Sequence, residues 1–245
     1  MNNITYLLGA GASCNVLPLV SNMKERMKKF LVRLDSYNFN EQKFIIPSKT
    51  LFLKYLPIVQ QALKHHTPDT YAKKLWLVEA WDKLEILKEF LNLFFVYEQD
   101  VAINPNYKIN DLSKIDHRYD VFLATLLENK NYKLTLPKNI NILTWNYDNQ
   151  FELAYNNFYF NNYPIGTLEG LGIIHDAIEG SPQIFPLNGQ STYFDYELVK
   201  NTPMDEYSVE HQGFNFLLNK LINRVDVKNN INFAWEASLA GKNIE

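Results

Sequence analysis

Three short stretches of the 245-residue chain carry residue types that could act on a ligand, and each follows an apolar run. The first is Gly9-Ala10-Gly11-Ala12-Ser13, behind Ile4-Thr5-Tyr6-Leu7-Leu8. Two glycines two apart lack Cβ atoms, so the backbone can turn sharply and approach a ligand closely. Successive N–H groups in such a turn form a concavity that suits a phosphate. An ordinary tight strand-to-helix turn is the plain alternative. The second stretch is Trp145-Asn146-Tyr147-Asp148, behind Ile140-Asn141-Ile142-Leu143-Thr144. Asn146 offers a donor and an acceptor; Asp148 offers a charge, or simply a helix cap. The third is Asn188-Gly189-Gln190, behind Gln183-Ile184-Phe185-Pro186-Leu187. In an open α/β sheet, polar residues at the carboxyl ends of strands sit where ligands bind.

The dinucleotide fingerprint of dehydrogenases is not met. Its third glycine falls at Cys14. The acidic residue expected about 20 residues on, after a second strand, has no match, because Glu25 and Asp35 lie in or beside a helical pattern. A dinucleotide bound here would be held for something other than hydride transfer.

The elements that must position these residues follow from periodicity. The three apolar runs read as strands, the first of them as a buried one. Met23, Met27, Phe30, Leu31 and Leu34 recur at helical spacing over about 22–34, with Asn22 and Glu25 as a capping box. A second helix covers about 50–64 and closes on His65-His66. Adjacent residues do not share a helix face, so these two read as stabilising the helix C-terminus and not as a metal pair. Thr67-Pro68-Asp69 reads as the start of a long helix reaching about 97, with Thr67 as N-cap. Lys73, Lys74, Glu79, Asp82, Lys83, Glu85, Lys88 and Glu89 would form its solvated face. Residues 100–116 read as loop, and Tyr119 to Leu127 as a further helix.

A parallel sheet normally returns after one crossover helix. The helical block at about 22–130 therefore reads as an insertion, or a cap over the sheet. Beyond the second strand, Asn149 to Tyr155 looks helical, 156–182 irregular with His175 a structural histidine, and 213–224 and 232–240 helical again. The expected architecture is α/β: a single domain over 1–245 with a parallel sheet and a helical insertion after the first strand.

Composition narrows the class. With 47% apolar residues, 16 Phe and 15 Tyr, a sizeable core is available. A net charge of -3 gives no case for a general nucleic-acid binder. A single cysteine excludes an internal disulfide and a cysteine zinc cluster. There is no signal-peptide pattern and no apolar stretch of the roughly 18–20 residues that span a membrane. A soluble cytoplasmic protein, with no direct nucleic-acid or membrane partner, is the expectation.

The three strand ends, in this order, resemble the SIR2-like family. Gly9-Ala10-Gly11-Ala12-Ser13 is similar to its NAD-binding Gly-Ala-Gly-x-Ser loop. Thr144-Trp145-Asn146-Tyr147-Asp148 is similar to its Thr-x-Asn-x-Asp motif, and Leu187-Asn188-Gly189 stands where the family has Leu-His-Gly. The similarity spans most of the chain, more loosely over the helical insertion, and is closest to the SIR2-like effectors of bacterial anti-phage defence, which degrade NAD.

The resemblance implies a Rossmann-like parallel sheet of SIR2 type, with NAD as substrate and no metal. Gly9, Ala10, Gly11, Ala12 and Ser13 would hold the pyrophosphate, with Thr144 and Gly189 lining the same pocket. Asn146 would contact the nicotinamide ribose and place the attacking water. Asp148 would orient Asn146 or the nicotinamide amide. A sensor or activator protein, or further copies of the chain, would be its partners.

Three departures matter. The zinc module of the deacetylating sirtuins needs four cysteines and only Cys14 is present, which argues against a deacetylase. The family's catalytic histidine is matched by Asn188, an amide that takes up no proton at neutral pH. After Phe233-Ala234-Trp235-Glu236 the family has another strand, with a glycine turn near the adenosine. The resemblance therefore implies an incomplete adenosine half, or a fragment of a longer protein. Two functions stay open at this point: NAD hydrolysis, and non-catalytic binding of NAD or ADP-ribose by a sensor or regulatory subunit. A purely structural subunit is a third.

Overall fold

A computed structural model describes residues 3–36, 48–99, 115–130, 133–157 and 183–187, with Ile231, Phe233, Trp235 and Glu236. In chain order the elements are β1 (Ile4–Leu8), a 3₁₀ turn (Ala10–Ser13), α1 (Val20–Ser36), α2 (Ser48–Ala62), α3 (Pro68–Leu77) and α4 (Trp81–Gln99). There follow α5 (His117–Leu126), β2 (Glu128–Lys130), β3 (Lys133–Thr135), β4 (Ile140–Thr144), α6 (Gln150–Asn157) and β5 (Gln183–Pro186). These divide into two compact units. The sheet unit gathers 3–17, 115–130, 133–157, 183–187 and the described residues from Phe233 on; the helical unit gathers 18–36, 48–99 and Ile231.

In the sheet unit the described strands lie in the order β1-β4-β5, all parallel, so the fold is α/β with a parallel sheet. Ile4 pairs with Ile140 and Leu8 with Thr144; on the other side Asn141 pairs with Gln183 and Thr144 with Pro186. This register brings the carboxyl ends of all three strands to one level. The ladder continues one step past it, with Trp145 N–H donating to Leu8 O at 3.0 Å and Leu187 N–H to Thr144 O at 2.8 Å. The strands that precede the three stretches read from sequence thus end side by side at one sheet edge.

Alternation decides which strand residues are buried. Ile140, Ile142 and Thr144 point inward from β4 and join a core with Tyr119, Leu123, Phe151, Ala154 and Tyr155 from α5 and α6. Tyr6 and Leu8 of β1 pack against that core, and Tyr6 meets Phe122 edge-on at 5.0 Å. The expectation that β1 is buried is overturned: Leu7, on the opposite face, is 56% exposed, and Ile4 at the strand's start is 45% exposed. Apolar residues on both faces of a run predict burial on both, yet core from α5 and α6 covers only the Tyr6 and Leu8 face. A short antiparallel pair, β2 with β3, precedes β4. Its polar Glu-Asn-Lys and Lys-Leu-Thr segments carry no alternation that would have announced it.

The helical unit packs α1 on α2, and α2 and α3 on α4. Met27, Phe30 and Leu34 of α1 are buried as the stripe predicts, and Phe30 lies 5.6 Å from Phe90, which in turn lies 5.6 Å from Tyr55. Helix α1 starts at Val20, because the Leu19 carbonyl accepts from Asn22 and Met23 N–H. Asn22 is therefore inside the helix, and Glu25 pairs with Lys29 one turn on instead of closing a capping box. Thr67 caps α3 as expected: its Oγ1 accepts from Thr70 N–H at 3.2 Å, and Pro68 opens the helix.

The long helix expected over 67–97 is two. Glu79 takes a φ of 56°, and Val78, Glu79 and Ala80 N–H close back on Lys74, Trp76 and Leu75 carbonyls, ending α3 before α4 begins. A non-glycine residue in this left-handed cap gives no sequence signal. Glu89, expected on a solvated face, is buried, with its carboxylate accepting from Lys54 at 2.6 Å and from the Tyr55 hydroxyl at 2.6 Å. Among the described residues, no helix is long and apolar enough to cross a membrane.

Candidate functional site

The glycine turn leaves β1 as a 3₁₀ turn, with Ala12 N–H on the Gly9 carbonyl at 2.8 Å. The turn uses no conformation reserved for glycine at Gly9. Gly9 has φ -110° and ψ -176°, an extended conformation open to any residue. A Cβ added at Gly9 or Gly11 would meet nothing within 4 Å. Neither backbone strain nor packing within the chain requires glycine here, and what the absent side chains leave is open space over the turn.

Ser13, at the end of the turn, is 1% exposed and meets Asn146 from the end of β4 and Tyr119 from α5. The separations are 3.1 Å to Asn146 Nδ2 and 3.0 Å to the Tyr119 hydroxyl. The Asp148 carboxylate lies nearby, and the Ser13 hydroxyl helps to hold its pKa down. A serine hydroxyl has one proton and two lone pairs. The Asn146 amide donates to Ser13, and in the Ser13–Tyr119 pair either hydroxyl can be the donor. Asn146 Nδ2 lies 3.4 Å from the Tyr119 oxygen as well. The amide nitrogen of Asn146 is thereby turned inward. Its oxygen has no hydrogen-bond partner among the described residues. Thr144 Oγ1 accepts from Asn146 N–H at 3.1 Å and fixes the backbone just past the strand.

Of the two roles left open for Asp148, the helix cap is seen: one carboxylate oxygen accepts from Gln150 N–H at 3.0 Å at the start of α6. Burial pushes its carboxyl up to about 6; the bonds from Gln150 and Ser13 oppose the rise, and the Asp116 carboxylate adds to it.

A second carboxylate organises the other side of the turn. Asp116, 1% exposed, caps α5 by accepting from Arg118 N–H at 3.2 Å. It also accepts from Asn15 N–H and Asn15 Nδ2, each at 3.2 Å, and its own N–H donates to Gln150 Oε1 at 2.9 Å. Arg118 closes on it through Nε at 2.8 Å and Nη2 at 2.5 Å. The Arg118 side chain is the main reason the Asp116 carboxyl is pulled down to about 2.

Of the residues singled out from sequence, the structure therefore brings together Ser13, Asn146 and Asp148, with Gly9 to Ala12 beside them and Thr144 beneath. Asn188, Gly189, Gln190 and His175 lie outside the described residues. Tyr119, Asp116, Arg118 and Gln150 were not found from sequence. Aspartate ahead of an apolar helical run was a usable cap signal for Asp116. Nothing local could have tied Tyr119 to a serine 106 residues away. Among the described residues, no three His, Cys, Asp or Glu side chains converge as a metal site. No protein-family model matches the chain, and no curated protein matches it.

Proposed function

We propose that the chain is an NAD glycohydrolase on a Rossmann-like sheet of SIR2 type, releasing nicotinamide and ADP-ribose and depleting NAD in anti-phage defence. The observation that supports this best is the meeting of Ser13, Asn146 and Asp148 across the ends of β1 and β4. Those two strand ends carry the residues that resemble the family's glycine loop and Thr-x-Asn-x-Asp motif.

The chemistry suits this arrangement. When the bond between nicotinamide and ribose breaks, the bonding pair goes to the positively charged ring and nicotinamide leaves neutral, so no general acid is needed. The ribose carbon gains oxocarbenium-like character and takes up a water, whose proton passes to bulk water. Catalysis then rests on holding the ribose and placing one water. The Asn146 amide oxygen is free to accept a hydrogen bond from that water, because the Ser13 side holds the nitrogen. Asp148, close to Ser13, adds negative charge that favours the developing cation. Asn188 contributes no base, and the lack of one costs about 10²–10⁴-fold. A slow enzyme, or one activated by a partner protein or by self-association, fits an activity that ends in NAD depletion.

The test is incubation of the purified protein with NAD, alone and with candidate activators, followed by chromatography. Equal amounts of nicotinamide and ADP-ribose are expected; no nicotinamide in any state contradicts the proposal. Asn188 in the histidine's place favours a second reading, in which the site binds NAD or ADP-ribose and reports occupancy to a partner. Calorimetric binding without turnover would select it.

A further inference from the structure

We propose that Arg118 is the residue that recognises a pyrophosphate at the glycine turn, with Asp116 and Asn15 positioning it. This deepens the NAD reading and rests on it. The observations that lead here all lie within the sheet unit. The Arg118 side chain is 50% exposed although one edge of its guanidinium is fixed by a carboxylate with no exposure at all. That edge, Nε and Nη2, engages both Asp116 oxygens. Nη2 also reaches the Ala12 carbonyl and Cys14 Sγ, each at 3.3 Å, so the group lies against the glycine turn itself. The remaining nitrogen, Nη1, has no partner among the described residues. Finally, a Cβ added at Gly9 or Gly11 would meet no atom of the described residues within 4 Å.

A guanidinium held along one edge keeps two N–H donors in a fixed direction, and their order has been provided before a ligand arrives. Arginine forks suit phosphate oxygens better than a lysine's point charge does. Asp116 is saturated: it accepts from Asn15 twice and from Arg118 three times, so it does not compete for the free donors. The turn's own N–H groups and the Arg118 edge would then hold two phosphates of one dinucleotide, setting its ribose toward Asn146.

Binding of ADP-ribose and of adenosine, which lacks phosphate, is measured by calorimetry on the full chain at several salt concentrations, for the wild type, Arg118→Gln and Arg118→Lys. Arg118→Gln is expected to weaken ADP-ribose at least about tenfold, the worth of one charge-assisted hydrogen bond. Adenosine affinity should stay unchanged, and the salt dependence of ADP-ribose binding should flatten. Arg118→Lys should fall between the two. Equal ADP-ribose affinity in wild type and Arg118→Gln overturns the assignment. So does a parallel loss for both ligands with the salt dependence kept, which would mean that Arg118 only braces the turn. Should Arg118→Gln not fold, Arg118→Lys decides, with wild-type ADP-ribose affinity counting against the fork. A wild type that binds neither NAD nor ADP-ribose overturns this assignment and the NAD reading together.

Discussion

Ser13 accepts from the Asn146 amide and shares a hydrogen bond with the Tyr119 hydroxyl, and the Asp148 carboxylate lies nearby. The same carboxylate is held in a buried place that disfavours its charge. Its folded-state pKa of about 6 lies above the ordinary 3.8, so its contribution to stability is whole below about pH 4 and is lost as pH rises through about 6. Asp148→Asn keeps an acceptor for Gln150 and removes the buried charge. Its expected effect is a stability gain at pH 8 of up to about 3 kcal/mol, from about 1.4 kcal/mol for each pH unit between 3.8 and 6, that shrinks toward pH 4. NAD turnover should fall with it; thermal melts and nicotinamide assays across pH check both. Asp116 has the opposite sign. Its lowered pKa makes its contribution whole above about pH 4 and lost as pH falls through about 2. Asp116→Asn should cost about 2–3 kcal/mol at pH 7, since it weakens bonds to a charged group, and almost nothing near pH 2, as read by denaturant melts. Asn146 and Asp148 were legible in sequence because a strand and a turn, both local, put them at the sheet edge. Tyr119, which Asn146 meets, and Asp116, which braces the turn through Asn15, were not, because only tertiary packing brings α5 to the glycine turn.

At the scale of elements, periodicity located β1, β4, β5 and the helices α1 to α6 well, and missed what periodicity does not encode. The break between α3 and α4 is the clearest example. Apolar spacing runs on through it, and the chain stops the helix with Glu79 in a left-handed conformation that costs an ordinary residue about 1–2 kcal/mol. Glu79→Gly removes that cost, set against glycine's greater freedom when unfolded. A net gain of about 1 kcal/mol is expected, and a destabilised variant in urea melts would show that Glu79 makes a compensating contact. The start of α1 shows the converse error. Asn22 and Glu25 had the right spacing for a capping box, but the carbonyl of Leu19, just past Pro18, opened the helix earlier. Exposure of Leu7 likewise follows from which face α5 and α6 cover, a fact no single strand contains.

For the molecule as a whole, the parallel register of β1, β4 and β5 is the feature on which function turns. It brings the ends of three strands scattered along the chain into one row, and it sets Asn146 against Ser13. The most direct test of that arrangement as an NAD-cleaving site is nicotinamide release from NAD by Asn146→Ala beside wild type, in the same state of activation and with matched melts. Release by the wild type, reduced at least about a hundredfold in the variant, is the expected result. Equal release by the two proteins would contradict it.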